Sequence, residues 1–418
     1  MSPEASRTVT GAPRPLQFNP LSPEFHNDPY PTYTRLRTED PVHRNAFGAW
    51  LLTRYDDIYA VLRDPRFGAY NISTNIRGKG RFLQQGKLDA LADAIEQWLM
   101  LINPPDHTRL RRLVSRPFNP ISVERLRPKV EETVATLLDK VRHTGRLDII
   151  NDLAVPLAVT MIAYMLGVPD EGRERVTYWT DGISRVLDPL RSIEEYTEMN
   201  QVACEFTEYF RELFHERKRA PKDDLISALV AAEQKDDHLT EDELLSVCML
   251  LFGSGEKTTV NLIGNGLLAL LRHPDQLALL RAQPDLLSSA INELLRYESP
   301  VQLSTRVPSE DVILGGKTIP AGSLVFISLG SANRDPAHFV EPERLDLTRS
   351  DNRHLAFSAG LHYCLGAALA FVEGQVAISA LVQELPDIEL VSNVVEWQKE
   401  IIFRGPQTLP VTFTPKPA

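Results

Sequence analysis

The sequence predicts a mainly α-helical protein with a small β-rich region. Apolar residues recur at three- and four-residue steps along most of the 418 positions, the spacing of one buried helix face. Strand-like runs are few, short and gathered in the C-terminal third. The longest helical pattern opens on a capping signal and closes on a proline, as a real helix does. In chain order, Met1–Pro20 is rich in Pro, Ser and Thr and reads as a flexible lead, and the Pro-rich tract 11–31 as an extended segment packed over the surface. Val123, Leu126, Val130, Val134, Leu137, Leu138 and Val141 predict one amphipathic helix. A charged helix is expected over Ile193–Arg219. Thr240 and Glu243 form a capping box, and Pro274 stops the pattern at about His273. That helix is roughly 50 Å long, enough to cross the molecule. Its centre, Leu250-Leu-Phe-Gly-Ser-Gly-Glu-Lys-Thr-Thr-Val260, carries two glycines, each costing about 1 kcal/mol relative to alanine. Such glycines indicate that something approaches the backbone closely. Pro284–Tyr297 is the next helix. The strands are Asp311-Val-Ile-Leu, Ser323-Leu-Val-Phe-Ile-Ser and Val411-Thr-Phe-Thr, the first two bounded by turn residues Gly315-Gly316 and Pro320-Ala-Gly322.

Composition narrows the function. A net charge of −11 argues against a general nucleic-acid or anionic-membrane surface. No apolar run is expected to span a bilayer. Cys204, Cys248 and Cys364 are too few and too far apart for a disulfide framework or a zinc site, which points to a reducing cytoplasm. Cys204 and Cys248 lie in helical patterns and read as inert core residues. Gly253-Ser-Gly-Glu-Lys-Thr and Gly316-Lys-Thr superficially suggest phosphate loops. Neither has the required glycine spacing and strand–loop–helix context.

Cys364 is different. It lies in Phe357-Ser-Ala-Gly-Leu-His-Tyr-Cys-Leu-Gly366, a glycine-punctuated loop running into the apolar pattern Leu365-Gly-Ala-Ala-Leu-Ala-Phe-Val. Unpaired N–H groups and the helix dipole at such a start favour a thiolate, a good ligand for a soft or borderline metal. The loop resembles the haem-binding signature of the cytochrome P450 family, with Phe357, Gly360, His362, Cys364 and Gly366 in register. The resemblance runs from Asp28-Pro-Tyr-Pro to Gly405-Pro-Gln-Thr-Leu-Pro and includes Ala332-Asn-Arg-Asp-Pro336. Ser358 and Leu361 depart from it, replacing a common glycine and a common proline.

The resemblance implies one haem-thiolate domain over 1–418, with haem b between Cys364 and the long helix. His107 and Arg111 of Asp106-His-Thr-Arg-Leu-Arg111, together with Arg306 and His362, would bind the haem propionates, with Phe357 and Gly366 also against the cofactor. Arg109, Arg112 and Arg116 read as a solvated basic face. Glu293 and Arg296, three residues apart on one helix face, match the family's Glu-x-x-Arg element. Arg344 of Pro342-Glu-Arg344 would complete that buried network. A flat cofactor carrying a small gas molecule would account for the glycines of the long helix. The implied reaction is monooxygenation, or a related oxidation, of a mainly apolar small molecule by O2. Electrons would come from a ferredoxin and its ferredoxin reductase, to a monomer with no nucleic-acid or membrane partner. Peroxide-driven turnover, oxidative coupling and non-catalytic haem binding are the alternatives.

Around the oxygen site, Gly255, Glu256, Lys257 and Thr258 match the family's catalytic segment. Thr258 takes the hydroxyl position, but Lys257 stands where an acid is usual. Glu256 lies about 100° away round the helix and does not simply replace that acid. Lys257 would pair with an acid on a neighbouring helix, bind a substrate carboxylate, or mark a different chemistry, in that order of preference. By position, Leu250, Gly253, Ser254, Gln302, Leu303 and Phe403 line the substrate pocket, with segments 68–100 and 170–195 closing over it.

Overall fold

The computed structural model describes residues 16, 18–82, 88–169, 173–188, 191–231, 233–234 and 237–415. Six of its helices position the site: α1 (Ser73–Phe82), α2 (Asp106–Val114), α3 (Ile193–Arg219), α4 (Glu241–Arg272), α5 (Leu287–Tyr297) and α6 (Ala367–Glu384). α4 starts where its caps dictate. The Thr240 hydroxyl accepts from the Glu243 N–H at 3.2 Å, and the Glu243 carboxylate accepts from the Thr240 N–H at 2.9 Å. α3 opens on a second capping box, Ser192 with Glu195. Pro284 nucleates a 3-10 turn, Pro284–Leu286, ahead of α5.

Two apolar clusters share α4. Its first half, Leu244 to Phe252, packs with Trp98, Trp179, Phe206 and Phe210. Its second half, Val260 to Leu270, packs with Ile291 and Leu294 of α5 and Ile378 and Leu381 of α6. Each buried leucine or isoleucine contributes about 1.5–3 kcal/mol relative to exposure. The stretch between the halves, Gly253 to Thr259, holds the glycines and hydroxyls, and the cavity described below opens there.

The β region is small, as expected. Strands β1 (Val42–Arg44), β2 (Trp50–Leu52), β3 (Phe67–Gly68), β4 (Leu303–Pro308) and β5 (Val325–Ser328) form one sheet in the order β1-β2-β5-β4-β3. β5 runs parallel to β2 and antiparallel to β4, with Val325 opposite both Trp50 and Arg306. Val312–Leu314 and Lys317–Ile319 form a separate hairpin, and Pro410–Thr412 pairs with Arg146–Asp148 and Glu389–Leu390.

Four expectations need correction. The helix over 123–141 is broken into Pro120–Glu124 and Arg127–Asp139, because Pro128 starts a new helix rather than continuing one. The tract 11–31 is not wholly extended, since Pro23–Asn27 is helical, while residues 1–15 lie outside the described part. One stretch, Ile149–Leu166, is long and apolar enough to cross a membrane by length and composition, yet 61% of it is buried inside the molecule, as in a core helix. Cys248 is buried as expected, but Cys204 is exposed, on a face of α3 turned to solvent.

Candidate haem and substrate site

The Cys364 loop is held from three sides. The Cys364 N–H donates to the Phe357 carbonyl at 3.0 Å, closing the turn over Gly360–His362. Gly360 has φ of 69°, and a Cβ there would collide with the Leu62 carbonyl oxygen, so a side chain does not fit. Ser358 also adopts a left-handed φ, 63°, which explains why glycine is the commoner residue there, and its buried hydroxyl has no partner among the described residues.

The third support is the Glu293–Arg296 pair, both 0% exposed. Glu293 accepts from Arg296 at 2.7 and 2.8 Å, from the Asp346 N–H at 2.9 Å, from Arg349 at 3.1 Å and from Asn352 at 3.0 Å. Arg296 donates onward to the carbonyls of Asn333 and Pro342 at 2.9 Å and of Arg344 at 3.1 Å. The Asn333 side chain then accepts from the Leu355 N–H at 2.6 Å, two residues before Phe357. Arg344 is therefore not the arginine that completes the network. Its side chain is 61% exposed beside Glu341, and only its carbonyl takes part. Arg349, five residues on and 10% exposed, reaches Glu293 instead.

Cys364 opens onto a cavity of about 570 Å³. Phe357, His362 and Gly366 of the same loop line it, as do Gly255 and Thr258 of α4, Arg111 of α2 and Arg306 of β4. Leu250, Ser254, Leu303 and Phe403 form part of its apolar wall. A separate crevice of about 680 Å³, bordered by Arg175, Tyr209 and Glu216, contains none of these residues.

Two expected wall residues face elsewhere. Gly253 packs against Trp98 and Ile183, where a Cβ would meet both at 2.9 Å, so this glycine serves helix packing rather than ligand approach. Gln302 donates to the Ser299 carbonyl at 2.8 Å and packs over Gly330. His107 stands just behind the wall, fully buried, its ring 4.5 Å from that of His362.

The wall carries two arginines without a counter-charge and, beside them, unsatisfied imidazole nitrogens. Both ring nitrogens of His107 and Nδ1 of His362 are buried without a hydrogen-bond partner among the described residues. Burial, with the Arg111 guanidinium beside it, holds His107 down at about 4. Burial, then Arg306 and His107, hold His362 at about 3. Burial pulls Arg306 down to about 10, and among the described residues its side chain reaches only Ser304 and the Thr305 carbonyl. No carboxylate faces these four groups among the described residues. A dianionic ligand edge satisfies such a set. At Gly366 an added Cβ would meet nothing within 4 Å, which leaves open space beside Cys364. Haem, with two propionates and one axial ligand, fits these residues.

The cysteine itself corrects an expectation. Burial pushes the Cys364 thiol up from its ordinary value, against the weaker pull of the Gly366 N–H and Arg111. The helix begins at Ala367, with Gly366 as its cap, so the dipole alone does not hold a thiolate here. A coordinated cation would.

Residues 79–392 match the family model for cytochrome P450. The chain belongs to the cytochrome P450 family. The biotin biosynthesis cytochrome P450 of Bacillus subtilis (strain 168) is 42% identical over 395 residues, covering 94% of this chain and 98% of the relative. Cytochrome P450 monooxygenase PikC of Streptomyces venezuelae is 40% identical over 413 residues, covering 96% and 95%. The crystal structure of P450BioI in complex with hexadec-9Z-enoic acid ligated acyl carrier protein is similar at a TM-score of 0.88 and 41% identity, over 94% of this chain and 99% of that one. This protein is thus a cytochrome P450 monooxygenase with the P450 fold, of a family that binds haem through a cysteine thiolate.

Within the P450 frame, Lys257 turns away from the cavity. It pairs at 2.5 Å with Glu400, on the C-terminal segment rather than on a neighbouring helix. Arg191 also reaches Glu400, at 3.0 Å, and continues to Glu195 at 3.2 Å and Asp188 at 3.6 Å. Glu256 lies near the same cluster, and burial lifts its carboxyl to about 7. Arg109 is not on a solvated face but pairs with Glu243 at the start of α4.

One acid does line the cavity, and sequence reasoning missed it. Glu373 of α6 is 3% exposed and accepts from the Thr259 hydroxyl at 3.1 Å. Its signal was available: it is the only acid between Ala367 and Leu381 in an otherwise apolar helix. Burial raises its carboxyl to about 8, from an ordinary 4.5, so it is protonated at neutral pH. Between those values the folded chain keeps a proton that the unfolded chain has released. Stability therefore falls as pH rises through that window, by at most about 1.4 kcal/mol per pH unit, and levels off above it. The Glu373→Gln variant should lack this slope. Thermal midpoints of the two proteins should converge near pH 5 and separate toward pH 8, with the variant higher.

Proposed function

We propose that this P450 holds haem b through the Cys364 thiolate and inserts one oxygen atom of O2 into a mainly apolar small molecule. Electrons are proposed to come from a ferredoxin and its reductase. The observation that supports this best is the sharing of one cavity by Cys364, Thr258, the cations Arg111 and Arg306 and the neutral imidazole of His362, the last three without a carboxylate among the described residues. Thiolate-held haem supplies one-electron and oxygen chemistry and favours O–O cleavage.

The remaining roles belong to side chains. Arg111, Arg306, His107 and His362 hold the propionates, Phe357 and Gly366 flank the macrocycle, and Glu293 and Arg296 fix the loop that presents the sulfur. Thr258 donates to the Ser254 carbonyl at 3.0 Å, which keeps its hydroxyl oxygen on the cavity wall as a polar atom amid apolar ones. Thr259 and Glu373 place a carboxylic proton in the same wall, next in sequence to Thr258. Lys257 acts as a positioning residue, tying α4 to the C-terminal segment that carries Phe403. In Lys257→Glu, a carboxylate faces Glu400 and this tie is lost. Product formed per reductant consumed should fall and peroxide release should rise. Unchanged values of both would remove Lys257 from the mechanism.

The experiment that tests the proposal is a screen of apolar compounds against the haem-loaded enzyme, read by the haem spin-state shift. Product analysis of the best binders with O2 and a ferredoxin system follows. Products heavier by one oxygen atom support the reading, whereas turnover with peroxide alone supports the peroxide-driven alternative.

A further inference from the structure

Arg111, Arg306 and the imidazole of His362 come from α2, β4 and the cysteine loop and are accounted for by the proposed propionates. Lys79 is not. It stands on α1 in the part of the cavity wall formed by Tyr70, Asn75, Val186, Leu187 and Tyr196. Its ammonium lies 4.3 Å from the centre of the Tyr196 ring, which is itself 4% exposed. An ordinary surface lysine turns its head to water or to a carboxylate. Arg77, two residues earlier on α1, does the latter, reaching Asp93 at 2.5 Å and Glu96 at 2.7 Å. Lys79 has no acidic partner among the described residues. The acids near Tyr196 are engaged elsewhere, Asp188 and Glu195 both at Arg191. Burial alone lowers the lysine's affinity for its proton. Next to it, Tyr70 and Asn75 form a hydrogen-bonded pair that adds polar atoms to this part of an otherwise apolar wall.

We propose that Lys79, seated on the face of Tyr196, is the anchor for a carboxylate at one end of the substrate. The substrate class is then an apolar chain or ring system ending in a free carboxylate. The cation–π contact holds the ammonium within the wall, and an incoming carboxylate supplies the missing counter-charge. The remainder of the ligand runs along the apolar wall toward Thr258 and Cys364. This rests on the haem-thiolate reading above and adds to it a residue that selects the substrate.

The test uses the haem-loaded enzyme and matched pairs of straight-chain fatty acids and their methyl esters, with affinity read from the spin-state shift. The acid should bind about tenfold or more tightly than its ester. Lys79→Met should remove that preference by weakening the acid and leaving the ester unchanged, and Lys79→Arg should restore it. A normal reduced carbon-monoxide spectrum in each variant shows that the fold and the haem are intact. Equal affinity of acid and ester in the wild type, or a preference that survives Lys79→Met, overturns the proposal. So does selective binding of an acyl thioester on a carrier protein that is indifferent to Lys79. In any of these results, oxidation of the ester leaves the monooxygenase reading standing. A wild type without haem absorption would sink that reading instead.

Discussion

Glu293→Ala is expected to destabilise the protein by about 3–5 kcal/mol and to lower its haem content. The carboxylate it removes accepts five hydrogen bonds, and the guanidinium left behind is fully buried. An uncompensated buried arginine is among the most costly single defects a core can carry. The effect travels through named bonds: Arg296 to Asn333, Asn333 to Leu355, and from there into the loop that ends at Cys364. The equivalent test at Arg344 should give a change within about 0.5 kcal/mol, because its side chain is in solvent. Denaturant midpoints for the two variants decide between the network seen here and one closed by Arg344. Similar losses in both would mean that the exposed arginine matters in a way the hydrogen bonds do not show.

Cys364→Ser should abolish oxygenation. Loss of outer-shell partners around a metal costs about 10–100-fold, and loss of the axial sulfur should exceed that. The fold should survive, because Cys364 makes its structural contribution through the backbone N–H to Phe357, which serine retains. Wild-type rates in the serine variant would mean that the sulfur is not the ligand.

Much of the architecture could be read before any coordinates, and the reasons are physical. Caps and proline stops fix α3 and α4 almost to the residue, since they satisfy terminal N–H groups that depend only on local sequence. The break at Pro128 was legible too, but the apolar spacing on either side of it masked the proline. The cysteine loop was readable in part because its backbone geometry demands glycine at Gly360.

Tertiary partners were much less accessible. Arg344 was chosen because Pro342-Glu-Arg344 matches the family's segment, and nothing local shows that the arginine five residues on is the one that turns inward. The partner of Lys257 is 143 positions away, and no spacing rule predicts such a pair. Gly253 was misread because a glycine that makes room for Trp98 looks, in sequence, like one that makes room for a ligand. Glu373 and Lys79 share a different cause. Glu373 is a lone charge in an apolar pattern and Lys79 one of several cations on a polar helix, and either becomes informative only when the structure shows whether a counter-charge is near it.

The central claim is that the sulfur of Cys364 binds the haem iron, and the absorption spectrum of the reduced protein under carbon monoxide tests it most directly. With thiolate ligation the wild type should show the red-shifted Soret band of thiolate-bound haem under carbon monoxide, and Cys364→Ser should lose it. A serine variant whose spectrum matched the wild type, or a wild type loaded with haem that never showed that band, would contradict the account.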